Sequence, residues 1–179
     1  RLKLNTAAQI NGRVTARYLE MNGTSTINDT NRTPTLTCFS DPFSATSLDS
    51  NWVVASSSGG FLPKIVNGRM RLTEAKTYQA TSVTYQRLFP AAGNLVTIEF
   101  DQAAYGGSAA DGIAMVLSDA AVTPQPGSSG GPLGYGYKTG VPGFAGGWLG
   151  IGIDEYGNFS AEGGTNSPGT RKNSVAIRG

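Results

Sequence analysis

Asp154, Tyr156, Asn158 and Glu162 set oxygen atoms at the spacing of a calcium loop. Calcium is a hard cation that gathers roughly six to eight oxygen ligands from carboxylates, amides and main-chain carbonyls. The Asp154 and Glu162 carboxylates, the Asn158 amide oxygen and the Tyr156 carbonyl form a candidate set of that kind. The same stretch is also good turn chemistry, because Asp and Asn hydrogen-bond to their own neighbourhood and Gly accepts left-handed backbone. A plain β-turn over Glu155-Tyr156-Gly157-Asn158 is therefore the competing reading.

Two strands must position these residues. In Leu149-Gly150-Ile151-Gly152-Ile153 apolar side chains alternate with glycine and run straight into Asp154. Such a period of two predicts a strand with Leu149, Ile151 and Ile153 packed on a core and Asp154 on the opposite face. Upstream, Ala110-Asp111-Gly112 stands just before Ile113, Met115 and Leu117, which alternate with smaller residues and predict a second strand. Gly146-Gly147-Trp148-Leu149-Gly150 leads into the first.

Taken in order, Ala110-Asp111-Gly112-Ile113-Ala114, Gly146-Gly147-Trp148-Leu149-Gly150 and Asp154-x-Tyr156-x-Asn158 resemble the sugar-site framework of the L-type, legume-like lectins. The resemblance implies an all-β chain with a concanavalin A-like jelly-roll β-sandwich. It implies a carbohydrate site of Asp111, Gly147, Tyr156 and Asn158, and a Ca2+ site of Asp154, Tyr156, Asn158 and Glu162. In it Asp111 follows a cis Ala110-Asp111 peptide bond and accepts hydrogen bonds from sugar hydroxyls, while the Gly147 N–H donates to the sugar. Asn158 serves calcium with its oxygen and the sugar with its NH2, and Tyr156 offers the ring against which a pyranose packs. Chemistry independent of the family points the same way, since vicinal hydroxyls and an apolar sugar face match a carboxylate, an amide, a backbone donor and an aromatic ring.

Three departures shape the expectation. Glu162 stands where these lectins usually carry Asp, Gly152 stands where they place a Glu that helps to hold a transition metal, and the chain has no His. A calcium-only site is what the resemblance then implies, and no loop that would tune monosaccharide choice is recognisable.

Composition fits a turn-rich β protein. The 179 residues include 25 Gly and 9 Pro, only 15% are charged, and the apolar runs are short; such a chain suits a sandwich better than a helical bundle. The net charge of +2 comes from scattered Lys and Arg, which gives neither a basic stripe for nucleic acid nor a polybasic membrane patch. No apolar run is long enough to span a bilayer, and the N-terminus has no signal-peptide pattern. The lone Cys38, flanked by Leu36 and Phe39, reads as a small buried hydrophobe, with a bridge to a Cys elsewhere as its second role.

Two units are expected. Residues 1–37 repeat an apolar-Asn-Gly texture, with Ile10-Asn11-Gly12 echoed by Met21-Asn22-Gly23, and read either as short strands joined by tight turns in a β-solenoid-like lead-in or as an extended segment. Asp29 to Pro34 closes it with turn and breaker residues. Residues 38–179 read as the lectin-like domain, which the resemblance expects to continue for further C-terminal strands, lost or supplied by another chain. Lys64 to Thr73 reads as a hairpin turning at Asn67-Gly68, and Val96, Ile98 and Phe100 as the inward face of another strand. The Gly/Pro-rich Pro124 to Phe144 reads as a long loop beside the site, in which Tyr135 and Tyr137 either contact sugar or pack locally.

The expected function is calcium-dependent binding of a glycan or polysaccharide by an extracellular, bacterial cell-surface or pilus-associated adhesin, with other chains or the rest of a larger surface protein as further expected partners. It is not expected to be an enzyme. The alternatives are a glycoside hydrolase on the same scaffold, which needs a suitably spaced carboxylate pair, and a structural surface domain that has lost sugar binding. Sequons at Asn22, Asn28, Asn31 and Asn158 suit a bacterial source, because a glycan on Asn158 would block the site.

Overall fold

The computed structural model describes residues 2–4, 9–11, 19–21, 26–28, 38–89, 91–108, 110–162 and 166–179. Among them the chain is all-β, without a helix, and it divides into two units. The first, Arg1–Ser40 with Phe89–Glu99, contains β1 (Leu2–Leu4), β2 (Gln9–Asn11), β3 (Leu19–Met21) and β4 (Thr26–Asn28). β1 pairs with β3 and β2 with β4, both in parallel, with Leu2 opposite Leu19 and Gln9 opposite Thr26. Parallel partners need a crossover connection, so each pair skips one strand in sequence; the segments that join successive strands lie outside the described residues. Ile10 is opposite Ile27, not the Met21 that echoes it in sequence. Gly12, Asn22, Gly23 and Asp29 to Pro34 lie outside the described residues.

Two further expectations are corrected. Cys38 is exposed, in a segment that forms no strand. Residues 95–104 form no strand either, and Val96, Ile98 and Phe100 are exposed. Alternation makes a strand only where a neighbour supplies ladder hydrogen bonds, and among the described residues none does so here.

The second unit, Asp41–Leu88 with Phe100–Gly179, holds β5 (Trp52–Ser58), β6 (Lys64–Val66), β7 (Arg69–Arg71), β8 (Ala80–Tyr85), β9 (Gly112–Ser118), β10 (Gly147–Asp154) and β11 (Ser174–Arg178). All pair antiparallel, as β5-β8, β6-β7 and β11-β10-β9. β6 and β7 form the expected hairpin. Asn67 and Gly68 both take positive φ, 51° and 70°, the two-residue turn that Asn-Gly favours because its twist matches that of the strands. At the start of the unit, Asp41 accepts the Phe43 N–H at 2.7 Å and the Trp52 indole N–H at 2.8 Å. Trp52 packs between Phe43 and Tyr85, with ring centroids 5.4 and 5.3 Å away, which seats the opening segment on β5 and β8.

β10 alternates as expected, but its buried side is the opposite one. Gly150, Gly152 and Asp154 are buried, whereas Ile153 is 37% exposed. The glycines make room for rings that arrive from elsewhere. A Cβ on Gly150 would stand 2.6 Å from the Tyr135 ring, and one on Gly152 would run into the ring of Phe159. Phe159 is fully buried and Tyr135 is 9% exposed. Apolar side chains on the strand itself could not approach so closely, so the core here is ring on bare backbone. Gly152→Ala should cost about 1–3 kcal/mol through overpacking, which denaturant unfolding would measure as a lower midpoint at unchanged slope.

The Gly/Pro-rich loop is built into that core. Pro124 and Pro132 are among the most buried side chains. Its backbone closes on itself through Gly127 N to Gly134 O (2.6 Å), Ser128 N to Gly136 O (3.0 Å) and Gly134 N to Ser128 O (3.0 Å). Ser57 on β5 donates its hydroxyl to the Gly127 carbonyl at 2.5 Å. The loop thus fixes what lies at the end of β10.

Candidate functional site

The β9–β10 register sets Asp154 opposite Gly112, which brings Asp111 beside the end of β10. The Ala110-Asp111 peptide bond is cis, as the resemblance implies. The Asp111 carbonyl accepts the N–H groups of Glu155 (3.0 Å) and Tyr156 (3.4 Å). Asp154 is 1% exposed, and its two carboxylate oxygens accept the N–H groups of Gly157 (2.8 Å) and Phe159 (2.6 Å). A buried carboxylate is stable when charge-assisted hydrogen bonds replace its water, so Asp154 shapes the very loop that it begins. Gly157 closes that loop against 171–173: its carbonyl accepts Arg171 N–H at 2.7 Å, and a Cβ on it would strike the backbone of Arg171 and Lys172. The chain bends at residues 155–157 around the Asp154 carboxylate, which closes the loop through side-chain hydrogen bonds.

Asn158 sits at the centre of the cluster. Its Nδ2 donates to Glu162 Oε1 at 2.9 Å, and the other oxygen of Glu162 pairs with Lys138 Nζ at 2.9 Å. The Asn158 Oδ1 atom is buried and has no hydrogen-bond partner. Glu162 fixes that orientation, since reversing the amide would set oxygen against a carboxylate. A Cβ on Gly131 would lie 2.5 Å from Asn158 Cγ, and one on Gly130 would lie 3.2 Å from Lys138 Nζ and 3.8 Å from Asp111 Oδ2. Asp111, Asn158, Glu162 and Lys138 are therefore gathered around the Gly130-Gly131 backbone. Tyr156 is 48% exposed, with Lys172 Nζ 5.7 Å from its ring centroid.

Burial raises the pKa of Asp111, helped by the nearby charges of Asp154 and Glu162 and opposed by Lys138 and the Asn158 amide. Glu162 is held below the usual carboxylate range chiefly by its hydrogen bond with Lys138. Lys138 thus acts on both Asp111 and Glu162, and the Arg178 guanidinium donates to the Phe159 and Glu162 carbonyls close by.

Gly147 does not belong here, which corrects its assignment to the sugar. It lies opposite Ser118 at the other end of the ladder, roughly 23 Å from Asp154 at strand rise, and its N–H donates to the Phe144 carbonyl at 3.0 Å. The glycines that do lie against Asp111 and Asn158 carry a signal in the sequence: Gly130-Gly131-Pro132-Leu133-Gly134 has the same Gly-Gly-x-Leu-Gly pattern as Gly146-Gly147-Trp148-Leu149-Gly150. Only the first copy is carried by the loop to Asp111 and Asn158. Tyr135 is buried against Gly150 and packs locally, while Tyr137 is half-exposed. Lys138 carries no local signature that sequence reasoning could use.

The donor set is consistent with a hard cation in one respect above all: the Asn158 amide oxygen is buried without a partner. Yet among the described residues no group of three or more acidic, Cys or His side chains is close enough to hold a metal. Calcium would thus draw on Asn158 Oδ1 and main-chain oxygen beside fewer than three carboxylates.

No family model, curated protein or solved structure matches this chain. Its function is therefore argued from the cluster's own chemistry.

Proposed function

We propose that the second unit is a lectin-like module that binds a glycan at the Asp111–Asn158 cluster, in a site completed by calcium. The proposed scaffold is a concanavalin A-like jelly-roll β-sandwich, and the proposed setting is a bacterial surface or pilus-associated protein. The observation that carries this reading is the Asn158 side chain, held by Glu162 through Nδ2 and hydrogen-bonded to Asp111, with its Oδ1 buried and unpartnered. An unpaired buried carbonyl costs about 1–3 kcal/mol, a cost removed when a cation takes the lone pair. Asn158 Oδ1, the Tyr156 carbonyl, Asp154 and Glu162 would hold the ion, and its charge would offset the acidic excess. Asp111 accepts hydrogen bonds from sugar hydroxyls, Gly130-Gly131 let Asn158 and Lys138 pack against bare backbone, and the half-exposed Tyr156 ring offers an apolar face. No helix of the described residues is long and apolar enough to cross a membrane.

One observation favours a second reading. A carboxyl pushed up at Asp111 beside one pushed down at Glu162 is the pattern of an acid and base pair in a glycoside hydrolase. Glu162 is committed to both Lys138 and Asn158, so we expect no release of reducing sugar from β-glucans or galactans. Turnover lost in Asp111→Asn would replace the lectin reading.

Thermal unfolding tests the cation. A ligand bound to the folded state alone stabilises it by about 2.7 kcal/mol at a hundredfold excess over Kd, so Tm should rise in millimolar calcium and fall back in EDTA. Equal melting in both would remove calcium from the site.

A further inference from the structure

We infer that Lys138 is a built-in cation of this cluster, and that its ammonium competes with calcium for Glu162. This rests on the calcium reading above only for the competition, not for the role of Lys138 in the metal-free protein. Lys138 Nζ lies 2.9 Å from Glu162 Oε2 and beside Gly130, on the side where Asp111 Oδ2 also approaches. Its charge opposes the mutual repulsion felt by Asp111, whose carboxyl is otherwise crowded by Asp154 and Glu162. The other oxygen of Glu162 orients the Asn158 amide. One ion pair therefore offsets part of the acidic charge and, through the other oxygen of Glu162, fixes the amide whose Oδ1 is left unpartnered.

Lys138 is also placed to leave. It stands at a tight turn closed by reciprocal hydrogen bonds with Val141, Lys138 N to Val141 O at 3.0 Å and Val141 N to Lys138 O at 2.8 Å. Its side chain is 44% exposed. The four-carbon stem can swing to water by rotamer changes alone while the backbone turn stays intact. A calcium ion drawing on Glu162 pulls on the same oxygens as the ammonium, and two cations on one carboxylate repel. Cation entry and Lys138 release are thus coupled, and the apparent calcium affinity is lowered by the fraction of molecules in which Lys138 holds Glu162.

The test is calorimetric titration of calcium into wild type, Lys138→Met and Lys138→Arg, with thermal unfolding of each in EDTA. Lys138→Met keeps the length of the stem and removes the charge. It should tighten calcium binding by about tenfold, lower Tm in EDTA and regain Tm in calcium, while Lys138→Arg stays near wild type in all three. Equal calcium affinity in wild type and Lys138→Met would overturn the competition. If none of the three binds calcium, the cation reading falls with the competition. The resident role then stands only if Lys138→Met still lowers Tm and Glu162→Gln in the same chain restores it. An unchanged Tm for Lys138→Met in EDTA would overturn the resident role.

Discussion

Asp154→Ala should cost the fold about 3–5 kcal/mol, enough to lower Tm by roughly 10 °C or more in a domain of this size. The carboxylate is 1% exposed and accepts two backbone N–H groups, from Gly157 and Phe159. Removing it leaves both donors buried beside Phe159, a fully buried ring that fills the space over Gly152. The loss is therefore two charge-assisted hydrogen bonds together with the anchor of the ring that covers β10. Asp154→Asn is the more pointed variant, because it keeps the volume but turns one acceptor into an NH2 that faces an N–H. Chemical unfolding of both variants in EDTA isolates this structural role from any part in holding a cation. Stability within about 1 kcal/mol of wild type for both would show that the loop closes without Asp154.

The largest functional effect is expected at Asp111. Asp111→Ala should weaken glycan binding by more than about a hundredfold, the loss expected when hydrogen bonds from sugar hydroxyls to a charged acceptor disappear. It should leave the fold in place, since the loop hangs on the Asp111 main-chain carbonyl through Glu155 N and Tyr156 N, and those bonds do not involve the side chain. Removing a carboxyl whose pKa is raised by burial and by Asp154 and Glu162 also relieves like-charge crowding. Binding lost with Tm unchanged or slightly raised would place Asp111 in recognition. Binding lost together with the fold would make it structural.

What the sequence made legible was local. Asn67-Gly68 announced its hairpin because turn chemistry resides in two residues. The alternation of β9 and β10 announced strands and brought Asp111 next to Asp154. The buried side of β10 was not legible, because Tyr135 and Phe159 reach Gly150 and Gly152 from distant points of the chain, and glycine alternation looks the same whether a ring covers it or water does. Val96 to Asp101 had the pattern of a strand but lacks a ladder partner, a non-local condition that alternation cannot report. The glycine expected beside Asp111 was placed at Gly147 because Gly-Gly-x-Leu-Gly occurs twice, and only folding brings the copy at Gly130 to Asp111. Lys138 was invisible for the same reason, being brought to Glu162 by the long loop.

The central claim is that this cluster recognises sugar with the help of a cation, and a glycan array probed with the full chain tests it most directly. The array is run in millimolar calcium, again in EDTA, and again with Asp111→Ala in calcium. Retention of at least one glycan class is expected in calcium, lost both on chelation and in the variant. Retention that is equal in EDTA, or equal in Asp111→Ala, or no retention under any condition, would contradict it.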